Sequence, residues 1–259
     1  MKRIHSSAIV SRKAELADGV EIGPFAIIGD GVQLGLGVRV GAHCVVEGAC
    51  SIGSESELFP HCSIGSAPQD LKFGGEPSRL EVGERNRFRE FCTVNRGTAG
   101  GGMVTRIGND NYLMANTHIA HDCQVGDRII FGNGAVLAGH VRVGDDVGVG
   151  AFSGVHQFCR VGRQAYIGGY SVIDQDVAPF VLVAGNRAQP YGLNLVGLKR
   201  RGFAARTITD LKRAYRLLFR SGLPRAEAQE RVRRECKDCP EALELAEFFG
   251  SSQRGVLVR

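Results

Sequence analysis

The chain has 259 residues, of which 43% are hydrophobic and 23% charged, and a formal net charge of +5 at pH 7. These proportions are typical of a globular protein and exclude an intrinsically disordered chain. The 36 glycines are about twice the usual share of roughly 7%, but no Gly-X-Y period runs through them, which excludes collagen.

The sequence carries no signal for insertion into a membrane or export across one. No window approaches the roughly 18 consecutive apolar residues of a membrane span, so we expect no stable membrane insertion. The stretch from Met1 to Ser7 is basic but lacks the apolar core of a secretory signal. We therefore expect a cytoplasmic protein.

A large apolar residue recurs at every sixth position through most of the chain. Three runs can be followed, from Ile4 to Ile64, from Val82 to Val94 and from Ile107 to Ile173. The last two runs differ in phase by one residue, and the glycine-rich stretch 97–102 lies between them. A hexad is too short for an amphipathic helix and a turn, so each one predicts a short strand followed by a corner.

Most of the cysteines occupy one position of this repeat. Alternation along a strand predicts that the residue two places before each repeated apolar residue also points inward. The cysteines at this position are Cys44, Cys50, Cys62, Cys92, Cys123 and Cys159. We expect them to be reduced core residues rather than disulfides. Cys236 and Cys239 have a spacing suitable for zinc, but no second ligand pair accompanies them, so no metal is expected there.

The hexad pattern resembles the hexapeptide-repeat acyltransferases, whose coils of three hexads wind a left-handed parallel β-helix. In such a coil, residues 18 apart lie above one another, separated by one strand spacing of about 4.8 Å. The resemblance implies a mainly β fold with a left-handed parallel β-helix over 1–190. Loop excursions are expected near 66–81 and 97–105, where the hexads are interrupted.

From about Gly197 the pattern changes to helical spacing. Apolar residues recur there at intervals of three or four, at Ile208, Leu211, Tyr215 and Leu218. This spacing predicts an amphipathic helix, and further helices are predicted over 225–236 and from Pro240 to Gly250. We expect a C-terminal α-helical domain over 191–259.

The first part of this helical segment is strongly basic. Residues 197–234 contain twelve Lys or Arg and three acids, a local charge of +9. Two interpretations remain open, a solvated helix face and a docking surface for an acidic partner. Nucleic acid is not expected as the partner, because no aromatic residues are interleaved for base stacking.

Four of the seven histidines are clustered, at His118, His121, His140 and His156. With eighteen residues per coil, His121, Gly139 and Gln157 lie above one another, and Asp122 lies above His140. One edge of the β-helix thus carries imidazoles, an acid and an amide on successive coils, which predicts a functional site.

Two chemistries can use such a column. The imidazoles can bind a metal, as in the zinc carbonic anhydrases built on the same helix, or one neutral imidazole can deprotonate a hydroxyl. Acyl transfer from a thioester needs only this base and an N–H donor for the oxyanion. Gly139 can present its N–H without a side chain in the way. We favour acyl transfer without metal or cofactor; a zinc-dependent hydratase and a non-catalytic hexapeptide scaffold are the alternatives.

Several segments resemble one branch of the hexapeptide-repeat acyltransferases in particular, the enzymes that acylate UDP-N-acetylglucosamine in the first step of lipid A biosynthesis. The segments are 116–123 (NTHIAHDC), 137–141 (LAGHV), 155–158 (VHQF), 69–72 (QDLK), 75–77 (GEP), 95–98 (NRGT) and 197–203 (GLKRRGF). The resemblance covers nearly the whole chain. It implies a homotrimer with each active site between two β-helices, an acyl carrier protein as donor and no covalent enzyme intermediate.

The resemblance also implies roles for individual residues. His121 is expected to be the general base on the sugar 3-hydroxyl, with Asp122 orienting it and the Gly139 N–H stabilising the oxyanion. The residues expected around the sugar and the thioester are Gln69, Asp70, His118, His140, His156 and Gln157. Those expected to meet nucleotide or phosphopantetheine phosphates are Lys72, Asn194, Arg200 and Arg201. The family often has an acid two residues after the Asn, where this chain has Val196.

A further expectation concerns the length of the acyl chain. In this family a long acyl tail is thought to run along the groove between β-helices, and a side chain about two coils beyond the catalytic histidines can close it. The corresponding position here is Gly169. Because glycine leaves the groove open, we expect a long donor to be preferred. The sequence leaves open whether the acceptor bears a 3-hydroxyl or a 3-amine.

Overall fold

The computed structural model describes residues 1–258, most of them in a three-sided parallel β-helix. Successive strands lie on faces 1, 2 and 3 in turn, so that each strand pairs in parallel with the strand above it in the next coil. Ile119 pairs with Leu137, and Leu137 pairs with Val155. The predicted stacking of residues 18 apart is therefore confirmed in these coils.

The strands are short, and most span two residues. Face 1 contains β1 (Arg3–Ile4), β4 (Glu21–Ile22), β7 (Arg39–Val40), β10 (Glu57–Leu58), β13 (Arg87–Phe88), β16 (Tyr112–Leu113), β19 (Ile130–Phe131), β22 (Gly148–Val149), β25 (Tyr166–Ile167), β27 (Val181–Ala184) and β28 (Gln189–Leu193). Face 2 contains β2 (Ile9–Val10), β5 (Ile27–Ile28), β8 (Val45–Val46), β11 (Ser63–Ser66), β14 (Thr93–Asn95), β17 (His118–Ile119), β20 (Val136–Leu137), β23 (Gly154–Val155) and β26 (Val172–Ile173). Face 3 contains β3 (Glu15–Leu16), β6 (Val32–Leu34), β9 (Ala49–Ile52), β12 (Arg79–Val82), β15 (Val104–Ile107), β18 (Gln124–Val125), β21 (Arg142–Val143) and β24 (Arg160–Val161).

The repeated apolar residues fill the interior from Ile22 to Ile173. The six cysteines of the repeat are buried beside them and free, as predicted. Ile4 departs from the pattern, with 46% of its surface exposed. The physical reason is its place in the first coil, which has no further coil stacked on its outer side within residues 1–258.

Both interruptions of the hexads leave the β-helix at one corner, where the chain passes from face 2 to face 3. We call this the 2/3 corner. The loop 67–78 lies between β11 and β12, and the loop 96–103 lies between β14 and β15. A short 3₁₀ turn, Ala99–Gly101, forms within the second loop. Because coils on either side of a loop still stack in register, the loops add surface at this corner without disturbing the core.

Parallel pairing ends at β27, which pairs with β25, and β28 then pairs with β27 in the antiparallel direction at the edge of face 1. The helices are α1 (Leu195–Arg200), α2 (Ala205–Arg220), α3 (Arg225–Glu235) and α4 (Pro240–Ser251). None of them is both long enough and apolar enough to cross a membrane. The buried side of α2 includes Ala214 and Leu217, whereas the predicted Tyr215 and Leu218 are half-buried. The reason is that α3 and α4 both pack on α2, so its apolar side is broader than one stripe.

Burial predicts how the cysteines react. Burial raises the pKa of Cys50 and Cys123 to about 12, so both thiols are protonated and inaccessible at pH 8. All eight cysteines are buried. We expect none of them to react promptly with a chromogenic thiol reagent in the native protein at pH 8. In denaturant the same reagent should count all eight; prompt reaction of a native thiol would contradict the packing described here.

Candidate active site

The 2/3 corner brings the predicted histidines together. Asp122, His140 and Phe158 occupy equivalent positions on three successive coils and have positive φ angles of 60°, 62° and 64°. The backbone N–H of His140 donates to the carbonyl of His121 at 3.0 Å, which continues the stacking through the corner. The left-handed conformation turns the chain sharply there, so that adjacent side chains need not point to opposite faces.

His121 and Asp122 form a hydrogen-bonded pair through this turn. His121 Nδ1 lies 2.8 Å from Asp122 Oδ2. The Asp122 side chain is fully buried, and that of His121 is 15% exposed. An ionised carboxylate only accepts hydrogen bonds, so Nδ1 carries the proton and donates it. The lone pair of Nε2 is then free to act as a base.

Gly139 lies directly against the imidazole of His121 in the next coil. A Cβ at this position would approach His121 Cε1 to 2.6 Å and Nε2 to 2.7 Å, closer than real Cβ contacts allow. Any residue with a side chain would therefore displace the ring. The Gly139 N–H donates to no acceptor within residues 1–258, so a donor lies unused beside the base.

His140 and His118 flank this pair. The His140 ring packs edge-on to His121, with centroids 5.1 Å apart, and stacks on Phe158 at 4.4 Å. His118 Nδ1 lies 2.7 Å from Thr93 Oγ1 on face 2. Burial lowers the pKa of both His118 and His140 below the usual 6.5. Both rings are therefore neutral at pH 7 and can donate one hydrogen bond while accepting another.

His156 and Gln157 continue the corner on the following coil and are exposed. His156 Nδ1 lies 3.2 Å from the Gln157 carbonyl, to which it can only donate. The ring also lines a polar cleft that includes Arg187 and Arg254. The predicted column of His121, Gly139 and Gln157 thus ends in a side chain that is free to meet a ligand.

The loop 67–78 places three further predicted residues at the same corner. Asp70 Oδ1 accepts the Lys72 N–H at 2.9 Å, which fixes the turn of the loop. The negative charge of Asp70 raises the pKa of His140 in opposition to burial, so the two groups are neighbours. Gln69 and Lys72 are exposed. The loop therefore carries a carboxylate, an amide and an ammonium group at the 2/3 corner.

The remaining predicted residues lie elsewhere on the chain. Asn194, Arg200 and Arg201 line a cleft of about 970 Å³ over face 1, and Gly169 lies at the corner between faces 1 and 2. Within one chain these residues therefore do not meet His121. The reason is that the C-terminal segment folds back along face 1, on the opposite side from the 2/3 corner.

Two of these side chains already have partners within the chain. Asn194 Oδ1 accepts the Gly197 N–H at 3.1 Å as the cap of α1, and its amide group donates to the Gln164 carbonyl at 3.0 Å. Arg201 forms an ion pair with Asp146. Arg200 is exposed. A phosphate at this cleft would meet Arg200 directly and would compete with Asp146 for Arg201.

Sequence reasoning did not assign two residues that shape the site, Phe158 and Thr98. Phe158 stacks on His140, and it lies 18 residues after it, so the coil repeat could have identified the pair. Thr98 contacts Asp122. Its position in the NRGT segment was the only signal, because the path of the loop is not encoded in the repeat.

The site can also be tested as a metal centre. Ligand atoms of His121, Asp122 and His140 lie within 4.8 Å of one another. Asp122 Oδ2, however, already lies within hydrogen-bond distance of His121 Nδ1 and of the hydroxyl and N–H of Thr98. A zinc ion on this oxygen would have to displace these donors, so the arrangement fits a hydrogen-bonded acid–base pair better than a metal centre.

Comparisons with known proteins place the chain in a family. The family model described as "Udp N-acetylglucosamine O-acyltransferase; Domain 2" matches residues 176–257, and a bacterial transferase hexapeptide model matches residues 105–139. The acyl-[acyl-carrier-protein]--UDP-N-acetylglucosamine O-acyltransferase of Thiobacillus denitrificans is 55% identical over 257 residues, which cover 99% of this chain and 100% of that protein. The chain belongs to this family of O-acyltransferases.

Other members of the family agree in sequence and in fold. The relative from Herminiimonas arsenicoxydans is 51% identical and covers 99% of this chain and 100% of its own length. The solved structure of LpxA from Acinetobacter baumannii superposes with a TM-score of 0.96 at 44% identity and covers 98% of this chain and 99% of its own. The predicted left-handed parallel β-helix is confirmed, and the protein is an acyltransferase.

Replacement of His121 with Ala tests its role as the base. Removal of a general base typically costs about 100-fold or more in rate, so we expect acyl transfer to be nearly abolished. The melting temperature should change little, because the side chain is not part of the core. His5, an exposed histidine of the first coil, gives the matched control variant His5→Ala, which should retain full activity. A His121→Ala protein that retains a tenth of the wild-type rate would rule out the assignment.

Proposed function

We propose that this protein transfers an (R)-3-hydroxyacyl chain from acyl carrier protein to the 3-position of UDP-N-acetylglucosamine, the first step of lipid A biosynthesis. The observation that carries the proposal is the hydrogen-bonded His121–Asp122 pair packed against Gly139, whose N–H has no acceptor within residues 1–258. This arrangement supplies the base and the oxyanion donor that acyl transfer needs. The names of the relatives supply the substrates.

The chemistry proceeds without a protein nucleophile. His121 Nε2 takes the proton of the sugar 3-hydroxyl while the oxygen of that hydroxyl attacks the thioester carbonyl carbon. A carbon–oxygen bond forms, and the carbonyl oxygen becomes an oxyanion that accepts the Gly139 N–H. Collapse of this intermediate breaks the carbon–sulfur bond, and the His121 imidazolium returns its proton to the departing phosphopantetheine thiolate. Asp122 stabilises the imidazolium in between.

A homotrimer would complete the site. In one chain the histidines lie at the 2/3 corner, and Asn194, Arg200 and Gly169 lie on the side of face 1, so a substrate that meets both groups needs two copies. Apolar side chains on two faces support such packing. Ile130 and Tyr166 on face 1 are 49% and 42% exposed, and Val136 on face 2 is 38% exposed. Exposed apolar patches of this kind mark interaction surfaces.

Binding roles follow from position. His118, His140, His156, Gln69, Asp70 and Gln157 would surround the sugar and the thioester at the 2/3 corner, and Lys72 would approach a phosphate from the loop above. Asn194, Arg200 and Arg201 of a neighbouring copy would meet the nucleotide. Val196 is 62% exposed in the same cleft. The nucleotide would therefore meet an apolar surface where relatives often present an acid.

A direct assay tests the reaction and its alternatives. The purified protein is given a hydroxyacyl donor on acyl carrier protein together with UDP-N-acetylglucosamine or its 3-amino analogue, with and without a chelator. We expect ester formation with the hydroxyl sugar at a rate that the chelator does not change. Preference for the amine would reassign the acceptor. Transfer to neither sugar, with zinc-dependent hydration instead, would overturn the proposal in favour of a metal enzyme.

The basic segment supports docking of the acidic carrier protein. Lys212, Arg216 and Arg220 are spaced four residues apart along α2, so they share one side of the helix. All three are exposed, and none forms an ion pair within residues 1–258. Arg216 and Arg220 also flank a small cleft beside Leu193 and Leu195. Unpaired charge on one helix side favours a partner of opposite sign.

Charge reversal tests this docking surface. The double variant Arg216→Glu and Arg220→Glu should raise the KM for acyl carrier protein about tenfold or more at low ionic strength, because like charges then face each other across the interface. The KM for the sugar nucleotide should not change, and added salt should weaken the effect. Lys2→Glu with Arg12→Glu provides a control with the same charge change on exposed residues of the first coil. An unchanged KM for acyl carrier protein would show that the basic segment is only a solvated helix face.

The chain-length proposal rests on the position of Gly169. Its backbone lies beneath Ala151 at the corner between faces 1 and 2, where an added Cβ would meet the Ala151 carbonyl oxygen at 3.3 Å. Its φ is not positive, so a side chain can be accommodated with a small shift. A side chain here would project beside the cleft over face 1.

Gly169→Met therefore tests whether this position limits the acyl chain. We expect wild type to prefer a donor of around fourteen carbons over a ten-carbon donor, and the variant to shift toward the shorter one. The physical reason is that each buried methylene stabilises the complex by about 0.8 kcal/mol, and the terminal ones would lose their site. Equal loss of activity with both donors would indicate that the substitution damages the corner and that position 169 does not select the acyl-chain length.

A further inference from the structure

The carboxylate of Asp122 is held by a loop that interrupts the repeat. Thr98 donates its hydroxyl to Asp122 Oδ2 at 2.6 Å, and its backbone N–H lies 3.0 Å from Oδ1 and 3.2 Å from Oδ2. Thr98 is itself buried, with 4% of its surface exposed. A buried carboxylate is costly unless it is hydrogen-bonded, so these donors offset the cost of burying the Asp122 carboxylate beside His121.

The other side of the loop packs against the same carboxylate. A Cβ on Gly101 would overlap the carboxyl carbon of Asp122, whereas one on the neighbouring Gly100 would meet only Thr98 Oγ1 at an ordinary 3.8 Å. Neither glycine has a positive φ. Gly101 is therefore required for close approach to Asp122 rather than for an unusual backbone conformation. The loop closes over the acid with backbone on one side and a hydroxyl on the other.

The loop is braced from outside. The carbonyl of Thr98 accepts the N–H groups of Gly101 and Met103 at 3.1 Å and 2.9 Å, which closes the turn on itself. Glu76 of the loop 67–78 accepts the Ala99 N–H at 2.9 Å, and this hydrogen bond lowers the pKa of Glu76. The two loops of the 2/3 corner are thus joined, and Thr98 has little freedom to leave Asp122.

We propose that Thr98 is a positioning residue of this acyltransferase: with Gly101, it fixes Asp122 so that His121 keeps its proton on Nδ1 and presents Nε2 to the acceptor hydroxyl. The inference rests on the proposed function, in which His121 is the base. Thr98 touches no substrate in this assignment and acts only through Asp122. The loop 96–103 thereby supplies a hydroxyl and an N–H donor to the Asp122 carboxylate.

Loss of the hydroxyl should leave a specific kinetic signature. Without the Thr98 donor, the negative charge of Asp122 is less dispersed and holds the protonated imidazole more strongly. A higher pH is then needed to produce the neutral base, so the acid limb of the pH profile of kcat/KM should move to higher pH. A merely structural role would lower the rate at every pH without moving this limb.

The first test compares Thr98→Val with Thr98→Ser. The valine variant keeps the shape and loses the donor, so we expect kcat to fall about tenfold or more, the acid limb to move and the KM for UDP-N-acetylglucosamine to stay unchanged. The serine variant keeps the donor and should restore most of kcat and the wild-type limb. Thr117→Val is a control, because Thr117 is also buried but donates to the Met114 carbonyl at 2.7 Å. It should change stability without moving the limb.

The second test uses the two neighbouring glycines. Gly101→Ala should push the loop off Asp122 and reproduce the shifted limb, whereas Gly100→Ala should behave as wild type. Equal effects of the two substitutions, or a Thr98→Val profile that falls without shifting, would overturn the proposal. This pair keeps the inference testable if Thr98→Val proves unstable.

A measurement independent of turnover separates this inference from the proposed function. In protein labelled with ¹⁵N-histidine, the nitrogen signals of His121 should titrate at higher pH in Thr98→Val than in wild type or Thr98→Ser. A wild-type protein that transfers no acyl group would overturn the proposed function and leave the positioning role of Thr98 standing. An unchanged titration of His121 in Thr98→Val and Gly101→Ala would overturn the positioning role alone.

Discussion

The distances at the candidate site are set by the stacking of one coil upon the next. Parallel hydrogen bonds between residues 18 apart fix each coil one strand spacing above its neighbour, about 4.8 Å. Side chains at equivalent corner positions then contact one another without any special loop. His121 over Gly139 and His140 over Phe158 are both consequences of this spacing. The same stacking buries the apolar interior, so the geometry of the site and the stability of the fold have one source.

The corners add a second constraint. Each coil turns through residues whose backbone lies in the left-handed region, where residues other than glycine are uncommon. At the 2/3 corner these residues are Asp122, His140 and Phe158. Their conformation is what lets Asp122 face His121, since neighbours on a regular strand would point apart. The backbone strain of the corner is offset by core packing on either side and places a carboxylate next to an imidazole.

How much of this could be read from the sequence depends on the range of the interaction. The period of six predicts the strands, the interior and the inward cysteines, because each depends on residues a few places apart. The period of 18, taken from the family resemblance, predicts the column of His121, Gly139 and Gln157. The contact of Thr98 with Asp122 was not predictable, because it depends on the path of a loop between coils. The position of Asn194 and Arg201 over face 1 was also not predictable from the repeat, since it depends on how the C-terminal segment returns along that face.

The joining of the loops 67–78 and 96–103 at one corner has a consequence for how such proteins diversify. A solenoid tolerates an insertion at a corner because the coils above and below still pair. Equivalent positions along the axis are then separated by whole coils, so a side chain placed one coil further along lies one strand spacing away. The length of ligand that such a protein prefers should accordingly change in steps of one strand spacing, according to which coil carries the side chain or loop that limits it.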